Sequence, residues 1–219
     1  MLKTRFIVLF LSLLSFAGSA GAAEVEDHLL SGSKFAQEKK YKEAAREYEN
    51  AVRLDPQNAD ANLLLGLTLA NTGDLENAVK YSLASVVIKP SYSAYYNLGL
   101  IYANQGKYDL AIDAYTHAVA LNNKSYLAWH QLGKVYATDL KFDKAIESYG
   151  KVIELNPKFA DAYQGLGSSH FWAGNTEAAY AQVAKLKELQ LAGKAEELER
   201  WIKDKETRKK KSAEKAAKA

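Results

Sequence analysis

The chain has 219 residues, 48% of them apolar and 25% charged, with a formal net charge of +3, which is enough for one ordinary domain or a short array of repeats. It contains no cysteine, which excludes both a disulfide framework and a cysteine for lipid attachment. The positive charge is not general, because Lys203 to Ala219 carries eight Lys or Arg against three Asp or Glu, so a basic, nucleic-acid-binding body is not expected.

The chain opens with Lys3 and Arg5, an apolar run from Phe6 to Ala17, and small residues ending Ala20-Gly21-Ala22-Ala23. This is the three-part pattern of a secretory signal peptide, assigned to residues 1–23. The apolar run is shorter than the about 20 residues needed to span a bilayer, and a retained anchor is the rival reading of the same segment. Cleavage would lower the net charge from +3 to +1. Export together with the absence of cysteine suits a soluble protein of the bacterial periplasm, or a secreted one.

From residue 25 onward the sequence repeats. The pairs Leu65-Gly66, Leu98-Gly99, Leu132-Gly133 and Leu166-Gly167 recur at intervals of 33, 34 and 34 residues. Ala44, Ala78, Ala111, Ala145 and Ala179 follow in step, and Leu54, Ile88, Leu121, Leu155 and Leu189 close the units. Pro56, Pro90 and Pro157 each stand two residues after a closing position, and because proline is not tolerated in a helix interior they mark helix ends. Five units result: 25–58, 59–91, 92–125, 126–159 and 160–192.

A mid-helix glycine costs about 1 kcal/mol against alanine, so a glycine kept at a fixed step implies close helix approach. Helix axes lie about 8–10 Å apart, depending on the side chains at the crossing. Gly99 on the first helix and Ala111 on the second are expected to let their hairpin close, with Ala118 toward the following unit.

These residues resemble the tetratricopeptide repeat, a helix-turn-helix unit of about 34 residues. The aromatic columns agree: Tyr95, Trp129 and Tyr163 in the first helix, Tyr41, Tyr108 and Phe142 opening the second, and Tyr48, Tyr115 and Tyr149 in its middle. Departures are Ser31-Gly32 for Leu-Gly, Lys39 and Leu140 where other turns carry Gly73, Gly106 and Gly174, Asn123 for proline, and Thr176 and Val183 in aromatic columns. The resemblance implies an all-α, right-handed α-solenoid of five hairpins, each burying its apolar face by stacking on the next.

After the last unit, Ala195, Leu198, Trp201 and Ile202 fall at helical spacing. They predict a capping helix over 193–203 that covers the open end of the array, with Trp201 as core. Residues 204–219 read as a basic, flexible tail, with weak attraction to anionic lipid headgroups as the sharper alternative.

No catalytic, metal or cofactor constellation emerges, so an enzyme is not expected and no cofactor is assigned. His28, His117, His130 and His170 lie in different units without metal-ligand spacing, and His28 and His170 occupy packing columns. Gly165-Leu166-Gly167 lacks the third glycine and preceding strand of a nucleotide loop. Asn123-Lys124-Ser125 is a glycosylation sequon that reads as a loop.

In the family, first helices line a concave groove that takes peptides or partner helices. Carried onto this sequence, the resemblance places Leu29, Leu63, Tyr96, His130 and Gln164 in one row. A second row holds Leu67, Leu100 and Lys134 together with Ser33 and Ser168, and Asn97 and Gln131 stand between. The leucines are equally open to being buried between units. Family members that clamp a chaperone's terminal carboxylate use several Lys, Arg and Asn residues, whereas only Asn97 and Lys134 are similar here, so that partner class is not expected. The expected function is a protein-interaction scaffold, with a self-associating structural protein as the alternative.

Overall fold

The structure, a computed structural model, describes residues 21–217, so residues 1–20 of the expected signal peptide lie outside it. Among the described residues there are eleven helices and no strand. They divide into two compact units, one running through Gln105 and the other from Gly106.

The first unit contains α1 over 21–37, α2 (Tyr41–Leu54), α3 (Ala59–Thr72), α4 (Leu75–Ile88) and α5 (Tyr92–Asn104). The helix ends follow local chemistry. Asn58, Asp74 and Ser91 each accept a hydrogen bond from a backbone N–H in the first turn of the helix they precede. Helices α2 and α4 stop two residues before Pro56 and Pro90. Gly73 takes the left-handed conformation that ends α3. The core gathers Ala44, Tyr48, Leu65, Leu69, Ala78 and Ile101.

Within this unit the expected close approach of helices occurs at Gly66 and Gly32. A Cβ on Gly32 would fall 2.6 Å from the Tyr48 ring. His28, in its packing column, places Nδ1 2.7 Å from Glu47 Oε2, joining α1 to α2.

The second unit contains α6 (Tyr108–Leu121), α7 (Tyr126–Thr138), α8 (Phe142–Leu155), α9 (Ala160–Trp172), α10 (Thr176–Glu188) and α11 (Ala192–Ala217). The large residues of the first helices each anchor the loop before them. Trp129 Nε1 donates to Asn123 O at 2.9 Å, and Tyr163 OH donates to Pro157 O at 2.8 Å. Tyr149 lies in the α8 core against Gly133 and Gly165, whose bare Cα atoms leave room for its ring.

Helix α11 corrects the expected flexible tail: it runs unbroken through the predicted cap and on to Ala217. Ala195, Leu198 and Ile202 are buried against α9 and α10. Beyond Ile202 no apolar face continues, but Lys, Glu and Ala are strong helix formers. Ion pairs at i,i+4 spacing, Lys203–Glu199 at 2.6 Å and Arg208–Asp204 at 3.0 Å, add to this.

Candidate functional site

The expected groove residues fall into two sets. In the first unit, Leu29 is drawn into the core around Tyr48, Leu65, Val25, Ala51 and Ala61, so its role is mainly packing. Leu63, Tyr96, Asn97 and Leu100 are half-buried, while Leu67 is 36% exposed. The rings of Tyr92 and Tyr96 stack with centroids 5.6 Å apart, presenting an aromatic face on α5.

In the second unit, α7 carries His130, Gln131 and Lys134. His130 is half-buried, with its ring edge-on to Phe159 at 5.0 Å and 5.8 Å from Tyr149. Burial, and then the Lys134 charge, holds the imidazole below its ordinary value, with Asp161 opposing. It is therefore neutral near pH 7 and acts as a packing aromatic. Gln131 is half-buried and Lys134 exposed.

Gln164 on α9 does not stand free. Its amide donates to Glu197 Oε2 at 3.0 Å, and Lys194 Nζ donates to Gln164 Oε1 at 3.3 Å, while Lys194 also pairs with Asp161 at 3.3 Å. This polar knot ties the start of α11 to α9.

Among the described residues, no group of three His, Asp or Glu side chains is arranged to hold a metal, and no helix is long and apolar enough to cross a membrane.

The second unit also holds an open cavity of about 660 Å³, lined by Ala137, Thr138, Leu140, Phe142, Ser168, Ser169, Trp172 and Trp201. Phe142, Trp172 and Trp201 of this lining belong to one aromatic cluster, backed by the buried Phe171. Trp172 stacks on Phe142 at 6.5 Å, meets Trp201 edge-on at 6.1 Å and Phe171 at 5.5 Å, and Phe171 also meets Trp201 at 5.5 Å. Trp201, expected as core, is only half-buried and faces this cavity, because it stands at the edge of the apolar stripe of α11. Leu140 is 73% exposed and left-handed at φ 59°, a conformation costing roughly 1–2 kcal/mol for a residue with a Cβ.

Sequence reasoning did not single out Trp172. The available signal was an aromatic pair, Phe171-Trp172, at the end of a first helix where the repeat columns require one large residue.

Residues 32–73 and 141–174 match a family model described as TPR repeat, and residues 59–92 and 92–125 match models described as tetratricopeptide repeat. The chain belongs to the tetratricopeptide-repeat family. A crystal structure of MamA protein is 31% identical with a TM-score of 0.73, covering 77% of this chain and 93% of that one. YrrB, described as a TPR protein with an unusual peptide-binding site, shares the fold at 21% identity and a TM-score of 0.69, over 79% of this chain and 90% of that one. The Hsp70-Hsp90 organising protein of Plasmodium falciparum is 28% identical over 106 residues, 45% of this chain. This chain spans about a fifth of that relative, 19% of its length. The tetratricopeptide architecture accounts for the glycine and alanine columns, while the α11 extension and the aromatic cavity are features to be read from this chain's own residues.

Proposed function

We propose that this protein is a non-enzymatic interaction scaffold that holds a peptide or helix of a partner protein against the first helices of its repeats, in an assembly of the bacterial envelope. The observation that carries this reading is the set of side chains that the first helices leave outward after packing. The first helices bury Ala61, Ala94, Ala128 and Ala162 completely, but keep Leu67 and Lys134 exposed and Tyr96, Asn97, Leu100 and Gln131 half-buried. A mixed apolar, aromatic and amide surface of this kind suits an amphipathic or extended segment. That YrrB is described by its peptide-binding site supports the same reading.

The test is cross-linked affinity capture of the tagged mature protein from its own cells, beside a Tyr96→Glu, Lys134→Glu variant. A protein captured by the wild type and lost with the folded variant is the expected result. Identical capture by both would remove the groove from the function. Light scattering on the mature protein addresses self-association, for which an obligate oligomer would speak.

Reading Met1 to Ala23 as a cleaved export signal places the mature protein in the periplasm or outside the cell. N-terminal sequencing of the protein from fractionated cells should then begin near Glu24, and an intact Met1 would mean a retained segment.

A further inference from the structure

We propose that the aromatic cavity of the second unit receives a bulky apolar side chain carried on an acidic segment of a partner protein. The proposal rests on the reading of the chain as a peptide-binding scaffold and names the chemistry its second unit selects.

The cavity wants an apolar guest because its own polar groups are already engaged. Thr138 Oγ1 donates to Lys134 O at 2.9 Å, and Ser168 Oγ and Ser169 Oγ both donate to Gly165 O, at 3.0 and 2.7 Å. With these donors turned back onto their helices, a sugar or nucleotide would lose water contacts without replacing them. An aliphatic or aromatic side chain gains by leaving water.

The apolar surface is also displayed where packing does not call for it. Trp172 is 49% exposed and Leu140 73%. At the equivalent left-handed turn position the other units use Gly73, Gly106 and Gly174, or the polar Lys39. Leucine at 140 shares that backbone conformation but adds to it an exposed apolar side chain, where the other units have none or a polar one.

Charge then selects among apolar guests. Lys205 Nζ stands 5.8 Å from the Trp201 ring centroid, and Lys209 Nζ 5.8 Å from that of Phe171. The acids next to them are already partnered: Asp204 with Arg208 at 3.0 Å, and Glu206 with Tyr180 OH at 3.0 Å. Glu197, on the adjoining cavity, is held by Gln164 and Lys194. The α11 side of the aromatic cluster thus presents the cations Lys205 and Lys209, which share one face of the helix at i,i+4 spacing. Aspartates or glutamates flanking the guest side chain complement that rim.

The experiment is panning of a random peptide library on the mature protein, with counter-selection on Trp172→Ala, followed by fluorescence polarisation of the best peptide. The expected peptides carry Phe, Trp, Leu or Ile flanked by Asp or Glu. Affinity should fall by about tenfold or more in Trp172→Ala, and by several-fold in Lys205→Glu, Lys209→Glu or on adding salt. Leu140→Asn, which tolerates the left-handed turn and replaces an exposed apolar side chain by a polar one, should weaken binding with the fold intact by circular dichroism. Peptides that bind Trp172→Ala equally, that lack acidic flanks, or that fail to enrich at all would overturn the proposal. So would a dimer of the protein that Trp172→Ala dissociates, since the guest would then be a second copy.

The two readings fail separately. Partner capture lost with Tyr96→Glu, Lys134→Glu but insensitive to Trp172→Ala, together with no Trp172-dependent peptide, removes the cavity alone. Trp172-dependent peptides together with capture indifferent to Tyr96→Glu, Lys134→Glu remove the groove alone.

Discussion

A Cβ placed on Gly66 would lie 2.5 Å from Ser82 Oγ, 3.0 Å from Ser82 N and 3.1 Å from the Ala78 carbonyl oxygen, so α3 and α4 meet where no side chain fits. Alanine there would gain about 1 kcal/mol of helix propensity but force a shift of the facing backbone, and overpacking of this kind costs about 1–3 kcal/mol. Gly66→Ala should therefore lower stability in urea unfolding by up to about 2 kcal/mol. Combining it with Ser82→Ala should recover only the part due to the hydroxyl, because the backbone contacts remain.

Gly150 is the converse. It lies inside α8 with no heavy atom within 4 Å of an added Cβ, so only propensity is at stake. Gly150→Ala should stabilise the second unit by about 1 kcal/mol. A loss on this change, measured by the same unfolding, would mean that its face meets something the helix surroundings do not show.

The repeat was legible because packing columns recur. The alanines at 44, 78, 111, 145 and 179 and the tyrosines at 48, 115 and 149 are all buried where the period put them, since small and large residues at a fixed step leave only one way for hairpins to close. The outer half of α11 was not legible. Apolar spacing reveals a helix only while one face is buried, and after Ile202 the helix rests on Lys, Glu and Ala propensity and on local ion pairs. Trp201 shows a related limit: spacing placed it beside Leu198 and Ile202 but could not tell a stripe's centre from its edge. The groove row in which the resemblance places Gln164 says nothing of its partners, Glu197 and Lys194, which lie about thirty residues away in sequence.

His130 gives the fold a pH dependence of definite sign. Its imidazole is held below the ordinary 6.5 by burial first and by Lys134 second, against Asp161. Between that lowered value and 6.5 the unfolded chain binds more protons than the folded one, so stability falls as pH drops through this window. His130→Gln should flatten part of the fall. A remainder is expected from His170, which burial also holds low. An unchanged slope in His130→Gln, read from denaturant midpoints between about pH 5 and 7.5, would exclude His130 as its source.

The cap and its extension should separate cleanly in stability and in surface behaviour. Ile202 is fully buried among Tyr163, Phe171, Leu186 and Leu198, so Ile202→Ala should cost about 2–5 kcal/mol through lost burial and the cavity left behind. Deleting residues 204–219 removes the Glu206 bond to Tyr180 and a largely exposed, charged helix, and surface interactions of that kind contribute about 0–1 kcal/mol. The deletion should instead abolish any salt-sensitive cosedimentation with anionic vesicles, since six of the described residues after Lys203 are Lys or Arg. Unchanged vesicle binding after deletion would place membrane attraction elsewhere on the chain. Equal melting losses from the two changes would mean that the charged extension, and not the apolar seam at Ile202, holds α11 to its unit.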